Sequence, residues 1–175
     1  MDHEALVALI PRLRRYARAL TGERFRADDL VQDTLERAIA KWALWRPGTD
    51  LRAWTFTIMH NVYVNQVKRS VLAAESLGPE AGMDLEDGAA SADTLAQLNA
   101  LNAALQRLPD EQRELLLLIT LEGFSYDEAA HTLGLPIGTV MSRLARARAK
   151  LAALLEGNGD EKAVGAGQVQ LKVVK

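Results

Sequence analysis

Apolar residues recur along the first part of the chain at the spacing of one helix face. Leu6, Leu9, Ile10, Leu13, Ala17 and Leu20 fall three and four apart, which predicts an amphipathic helix over residues 4–20. Arg12, Arg14, Arg15 and Arg18 lie mostly between them, away from that face, and Thr21-Gly22 ends the helix. Asp28 and Asp29 are expected to open a second helix, where carboxylates suit the positive end of the helix dipole. Its apolar positions are Leu30, Val31, Leu35, Ala38 and Ile39, running towards Trp42 and Trp45. Arg46-Pro47-Gly48-Thr49-Asp50 reads as a compact loop, punctuated by Pro and Gly. A third helix is predicted from about Leu51 to Val71, anchored by Trp54, Ile58, Val62 and Val67.

Residues 73–94 break the pattern. They hold Gly78-Pro79, Gly82, Gly88 and little apolar mass, which predicts a flexible linker between an N-terminal domain, 1–72, and a C-terminal one, 95–156. In the second domain a helix is expected over about Leu95 to Arg107. Pro109 with Asp110 and Glu111 starts the next, which carries Leu115 to Leu121 and ends at Gly123. Ser125-Tyr126-Asp127-Glu128 has the form of a capping box, the Ser and the Glu each satisfying a helix-end amide. A short helix then runs to Leu133, Gly134 breaks it, and Leu135-Pro136-Ile137-Gly138 leads into a final helix ending near Leu155. The tail, 157–175, is Gly-rich before Val169, Leu171 and Val173 alternate with polar residues. It is expected to fray, with a weak strand on a partner as the other reading. The fold class that follows is all-α: two small helical domains, a flexible linker between them, and a helix-turn-helix in the second.

Composition narrows the chemistry. Hydrophobic residues make up 49% of the 175 residues and charged ones 25%, the balance of a folded chain, and aromatics at 5% fit small helical lobes. There is no cysteine, so disulfides and thiolate metal sites are excluded, and three scattered His argue against any metal site. No cofactor is expected. Asp2 and Glu4 stand where a signal peptide would be basic, and no apolar run approaches membrane-spanning length, so a cytoplasmic protein without membrane insertion is expected.

The formal net charge of −2 argues against a nucleic-acid partner until its distribution is read. Residues 51–74 contain Arg52, Lys68 and Arg69 and no acid; residues 133–155 contain Arg143, Arg146, Arg148 and Lys150 and again no acid. Between them, residues 71–94 carry Glu75, Glu80, Asp84, Glu86, Asp87 and Asp93 and no base. Two basic segments around an acidic one are a local electrostatic footprint inside a near-neutral total.

The second basic segment lies on a helix-turn-helix pattern. Ala130 provides the small residue where two helices touch, Gly134 permits a left-handed turn, and Val140 packs six positions on. The second helix bears Thr139, Ser142, Arg143, Arg146 and Arg148, hydroxyls and guanidinium groups suited to phosphates and to base edges in the major groove. A solvated basic helix in an ordinary bundle is the plainer alternative. An enzyme is disfavoured: Ser125, Asp127 and His131 are close in sequence, but Ser125 is better explained as a cap, and no phosphate-cradling Gly loop is visible.

The stretches Gly123-Phe124-Ser125-Tyr126-Asp127-Glu128-Ala129-Ala130 and Leu135-Pro136-Ile137-Gly138-Thr139-Val140-Met141-Ser142-Arg143-Leu144-Ala145-Arg146-Ala147-Arg148 resemble the C-terminal domain of extracytoplasmic-function (ECF) sigma factors. Ala27-Asp28-Asp29-Leu30-Val31-Gln32-Asp33-Thr34 resembles the family's core-polymerase-binding helix, and Trp54 through Asn61 to Asn65 its −10-reading helix. The likeness covers roughly residues 4–156, with the motifs in the family's order.

The resemblance implies that Asp29, Gln32, Asp33 and Glu36 dock on the β′ clamp of core RNA polymerase, which the protein would engage together with the β subunit. It implies that Asn61 and Asn65, with Lys68 and Arg69 on backbone phosphates, read the −10 element of promoter DNA, a flipped base being held between this helix and the loop 46–50. Thr139, Ser142, Arg143, Arg146 and Arg148 would read the −35 element, and an anti-sigma partner would silence the protein. Helix capping by Asp28 and Asp29, and surface roles for both Asn, are the bland readings. Trp42, Trp45 and Trp54 are read as core, and His60 as a surface residue.

The sequence departs from the family at Met141, where many members have Arg, which leaves an apolar contact such as one to a thymine methyl; Ala145 removes bulk from the same helix. The linker resembles the family's connector through polymerase; its acids either mimic a nucleic-acid backbone or keep a spacer soluble. The implied function is promoter-specific transcription initiation without a catalytic site. The alternative is an operator-binding helix-turn-helix regulator that acts without becoming a polymerase subunit.

Overall fold

The computed structural model describes residues 3–74 and 91–160. Most of the expected linker and all but the first residues of the expected tail lie outside them. Within the described residues the chain is helical throughout, with seven α-helices, one 3-10 turn and no strand.

Helix α1 (His3–Thr21) buries Leu6, Leu13, Tyr16, Ala17 and Leu20 along the stripe its spacing predicts. It closes at Gly22, which adopts φ +72 while its N–H donates to Arg18 O at 2.9 Å. A side chain there would be strained and would come within 2.5 Å of Gln106, whose amide donates to Ala19 O at 3.0 Å. The turn is therefore both a chain reversal and a seat for a residue of the second lobe.

Helix α2 (Arg24–Ala40) starts four residues before Asp28, so Asp28 and Asp29 do not open it. Glu23, extended at φ −137 and ψ 136, is the N-cap directly after the Gly22 turn, and Ala27 N–H already donates to Glu23 O at 3.0 Å. The tight turn sets the start of the helix, and Asp28 pairs along it with Arg24 at 3.9 Å. After the 3-10 turn (Trp42–Leu44) and the loop 46–50, helix α3 (Leu51–Ala74) runs further than the Val71 expected. Asp50 caps it by accepting from the N–H groups of Arg52 and Ala53. Phe56, Ile58, Met59, Val62 and Tyr63 are buried, while Trp54 and Val67 are half-buried.

The C-terminal lobe begins earlier than Leu95. Ser91 is the N-cap of helix α4 (Ala92–Gln106) and accepts from Thr94 N–H at 3.3 Å. Helix α5 (Asp110–Thr120) follows Pro109 and buries Leu115, Leu116, Leu117 and Leu118. Helices α6 (Tyr126–Leu133) and α7 (Ile137–Asp160) complete the chain, the last passing the Leu155 expected.

The two lobes share one core. Phe56 of α3 meets Phe124, just before α6, edge to face at 5.4 Å, and Tyr16 of α1 meets Phe56 at 5.1 Å. Each such buried ring stabilises the contact by ~1.5–3 kcal/mol through the apolar area it withdraws from water.

Candidate nucleic-acid interface

The helix-turn-helix forms as its residues dictate. Ser125 Oγ accepts from Glu128 N–H at 3.2 Å and Glu128 returns a carboxylate oxygen to Ser125 N–H at 2.7 Å, the reciprocal capping box. That pairing, led by the Ser125 backbone N–H, holds the Glu128 carboxyl below its ordinary value. Gly134 takes the left-handed conformation at φ 63 and ψ 37, and Leu135 N–H reaches back to Ala130 O at 2.9 Å. Val140, Leu144 and Ala147 then bury one side of α7.

At 3.6 residues per turn the predicted reading residues of α7 do not form one cluster. Ser142 and Arg146 lie opposite the buried side and are exposed; Thr139 is beside them and half-buried. Arg143 lies towards the core flank, where its guanidinium pairs with Glu111 of α5 at 2.9 Å. Arg148 is exposed on the other flank, roughly a third of a turn from Ser142. Met141, 54% exposed, shares the Arg148 flank, so the family departure falls off the centre of the reading face. Ser142 Oγ donates to Thr139 O at 3.2 Å and Arg146 Nε to Ser142 O at 3.3 Å, holding both groups along the helix.

On α3 the predicted residues do come together. Trp54, Thr57, Asn61, Asn65, Lys68 and Arg69 fall within one arc of about 120°, and Asn61, Asn65, Lys68 and Arg69 are all exposed. Asn61 Nδ2 donates to Thr57 O at 2.9 Å, leaving its carbonyl oxygen outward. At the upstream end of this stripe lies a cavity of about 420 Å³, bounded by Arg46, Thr49, Asp50, Trp54, Thr57 and, from α6, His131. An indole, two hydroxyls, a carboxylate and a guanidinium around a cavity of that size suit a planar heterocycle with polar edges. Trp54 is held by Trp42, edge-on at 6.2 Å, and Trp42 also meets Trp45 at 5.3 Å, so the three indoles form a packed brace for the loop.

The α2 residues lie on one face too. Asp29, Gln32 and Glu36 are exposed, with Gln32 Nε2 donating to Glu36 at 3.0 Å. Asp33 is half-buried and accepts from Gln66 of α3 at 3.0 Å, which makes it a brace between the two helices. Sequence reading missed two members of this face: Phe25 is 78% exposed and Ile39 54% exposed. With Asp29, Gln32 and Glu36 they make a stripe spaced four and three apart, acidic and amide in the middle and apolar at both ends, the form that docks on another helix. The signal was the Phe25, Gln32, Ile39 heptad spacing.

Also unforeseen are charges buried between the lobes. Glu122 has no exposed side-chain surface and is held by Arg12 Nε at 3.0 Å and Arg15 Nη2 at 3.2 Å. His60, expected at the surface, contacts Glu114 at 2.8 Å, and burial pushes the Glu114 carboxyl up, against the pull of His60. Arg113 donates to the carbonyls of Leu105, Gln106 and Leu108, to Asp110 and to Tyr63. Burial pushes the Tyr63 phenol up to about 12 despite that guanidinium, and burial foremost also raises Tyr16, whose hydroxyl donates to Glu114 O. Among the described residues no group of His, Asp or Glu is placed to hold a metal, and no helix is long and apolar enough to cross a membrane.

Comparison with known proteins covers the same two lobes. Residues 6–60 match the Sigma2 domain of PhyR and residues 98–151 match Sigma-70, region 4. The ECF RNA polymerase sigma factor EcfG of Rhodopseudomonas palustris is 40% identical over 156 residues, 89% of this chain and 86% of that one. The ECF sigma factor SigM of Mycobacterium tuberculosis is 36% identical over 146 residues, 82% of this chain and 71% of that one. Among solved structures, the sigma factor RpoE in complex with the anti-sigma factor NepR from Bartonella quintana is similar at TM-score 0.76. It is 37% identical, with 88% of this chain and 96% of that one covered. CnrH in complex with the cytosolic domain of CnrY is similar at TM-score 0.66 and 28% identity, over 90% and 91% of the two chains. The anti-anti-sigma factor PhyR, at 21% identity and TM-score 0.60, shares the fold. Likeness to EcfG over nearly the full length of both chains separates this protein from operator-binding regulators. It belongs to the extracytoplasmic-function family of RNA polymerase sigma factors, the subunits that direct transcription initiation.

Proposed function

We propose that the three exposed faces divide the work of initiation. The α2 stripe from Phe25 through Asp29, Gln32 and Glu36 to Ile39 takes up core RNA polymerase at the β′ clamp, with Asp33 setting its orientation from behind. The α3 stripe reads the −10 element: Asn61 and Asn65 meet base edges, Lys68 and Arg69 meet phosphates, and the cavity beside loop 46–50 receives an unstacked base. On α7, Ser142 and Arg146 read the −35 duplex, Thr139 assists them, Arg148 grips backbone from one flank, and Arg143 joins once Glu111 releases it. Residues 1–72 form the domain for polymerase and −10, residues 95–156 the domain for −35, residues 73–94 the connector and residues 157–175 an appended tail.

The observation that carries this reading is the α3 stripe, where amides and cations align on one exposed face beside an open cavity. The protein works in the cytoplasm as a regulator with no reaction of its own. An anti-sigma partner silences it, by analogy with the complex of RpoE and the anti-sigma factor NepR. Reconstitution with core polymerase on a bacterial genomic library, followed by start-site mapping, tests the proposal. Starts sharing two upstream elements are expected. Initiation that survives loss of Asn61, Asn65 and Arg146 together, at the same start sites, would remove the residue assignments.

A further inference from the structure

The outward side of α7 carries an apolar strip that its hydrogen-bonding residues leave unused. Ile137 and Met141, one helical turn apart, are 42% and 54% exposed, the large apolar side chains that this helix leaves exposed among the described residues. The exposed Ala145 continues the strip, each step of four residues turning it ~40° further towards Ser142 and Arg146. Gly138 is exposed in the same first turn, and a Cβ added to it would meet nothing within 4 Å. We propose that Ile137 and Met141 are specificity-determining residues of the upstream duplex contact: they read the C5-methyl groups of thymines in the major groove. The inference rests on the reading of α7 as the −35 helix and deepens it, from where the helix docks to which atoms of the bases it requires.

The chemistry of the groove selects the partner of such a strip. Of the groups that distinguish base pairs in the major groove, the thymine methyl alone is apolar, and cytosine carries a hydrogen in its place. Covering that methyl leaves no hydrogen bond unmade on the protein side, because Ile and Met bring no donor that must be satisfied. The two side chains differ in a useful way. Ile is β-branched and stiff, so Ile137 is a fixed point, whereas the unbranched Met141 adapts its reach to the methyl it meets. The core of the lobe is filled from the other side of α7 by Val140, Leu144 and Ala147, so the strip is free to enter a groove.

Position along the helix agrees with this role. Helix α7 begins at Ile137, and the N–H groups of Thr139 and Val140 donate to Pro136 O at 3.0 and 3.1 Å. The first turns of a recognition helix are the ones that reach base edges. Four residues at ~1.5 Å each separate Ile137 from Met141 by ~6 Å along the axis, against ~3.4 Å per base pair. The methyls they meet therefore lie one or two base steps apart. Arg148 is exposed on the same flank, about two turns beyond Met141, where a phosphate contact presses the strip into the groove.

Deoxyuridine in place of thymine removes one methyl and leaves every hydrogen-bonding edge intact. Holoenzyme is reconstituted on a promoter found by start-site mapping, and each thymine of the upstream element, on both strands, is replaced in turn. Two positions, one or two base steps apart, are expected to weaken equilibrium binding about fourfold, the effect of one methyl returned to water. Met141→Ala is expected to abolish the response at one of them and Ile137→Ala at the other, with melting temperatures nearly unchanged because both side chains are exposed. Arg146→Ala should bind more weakly yet keep the full deoxyuridine response. An upstream element without thymine, a scan with no sensitive position, or equal sensitivity in the wild type and both variants would each overturn the inference. So would a Met141→Ala protein that binds core polymerase more weakly in the absence of DNA, since the strip would then be a protein contact. Failure of the underlying reading looks different: Arg146→Ala would leave discrimination of the upstream element unchanged, whatever the scan shows.

Discussion

Helices α3 and α7 are both basic and free of acid over the stretches that matter, yet they present their side chains in different ways. On α3, Asn61, Asn65, Lys68 and Arg69 line up on one exposed arc, continued by the half-buried Trp54 and Thr57 beside a cavity. On α7, only Ser142 and Arg146 face squarely outward; Arg143 is committed to Glu111 and Arg148 points to the far flank. A count of cations treats the two helices as equivalents. Their angular distribution does not: one is a continuous track for a strand, the other a narrow edge for a groove, with a guanidinium that also fastens the lobe together.

The largest effect is expected at the face outside this comparison, which isolates DNA reading from polymerase binding. Phe25→Ala should weaken core-polymerase binding ~30-fold, the loss typical of an exposed aromatic anchor worth ~2 kcal/mol. Because the ring is 78% exposed, the melting temperature should not move; affinity measured by titration of labelled protein decides. Asn61→Ala should lower initiation ~10–30-fold on duplex promoter DNA, with the defect persisting on a premelted template, a loss of ~1.4–2 kcal/mol that lies within the range of a base-edge contact. Full activity on both templates would separate Asn61 from strand capture.

Arg146→Ala should reduce discrimination of the upstream duplex element about tenfold, read from competition between promoters differing only there. Arg143→Ala makes the sharper contrast. Its partner Glu111 is 73% exposed, so the pair contributes no more than ~1 kcal/mol, and the variant should melt a few degrees lower with a smaller promoter defect than Arg146→Ala. If Arg143→Ala proves the worse of the two for promoter choice, the division of α7 into reading and bracing residues fails.

The smallest effect concerns acid. The Glu128 carboxyl lies below its ordinary value of 4.5 in the folded protein, chiefly through the Ser125 N–H. Its contribution is therefore present above about pH 4.5 and is lost as pH falls through the lower folded value. Glu128→Gln lacks that step, so its melting temperature should decline less than the wild type's over the same acid range.

Local grammar was legible in the sequence, and long-range electrostatics were not. Ser125 with Glu128, Gly134, Pro109 and the loop 46–50 act over a few residues, so their spacing alone predicts the helix-turn-helix and its caps. The start of α2 was misplaced because a turn at Gly22 outweighed the preference of Asp28 and Asp29 for a helix end. Helical spacing was enough to place Asn61, Asn65, Lys68 and Arg69 on one face of α3, whereas the cavity beside them needed His131 from a distant helix. Glu122 looks like a surface acid before a glycine; the arginine partners of its carboxylate lie more than a hundred residues upstream, and no periodicity connects them. Arg113, Glu114 and His60 were hidden for the same reason.

The central claim is that two helices of one chain meet two separate stretches of one promoter. A photo-crosslinking amino acid placed in turn at Asn61 and at Ser142, in holoenzyme on a mapped promoter, tests it directly. The account predicts crosslinks from position 61 to the melted segment near the start site and from position 142 to the duplex about two helical turns further upstream. Crosslinks from both positions to the same segment, or from neither to DNA, would contradict it.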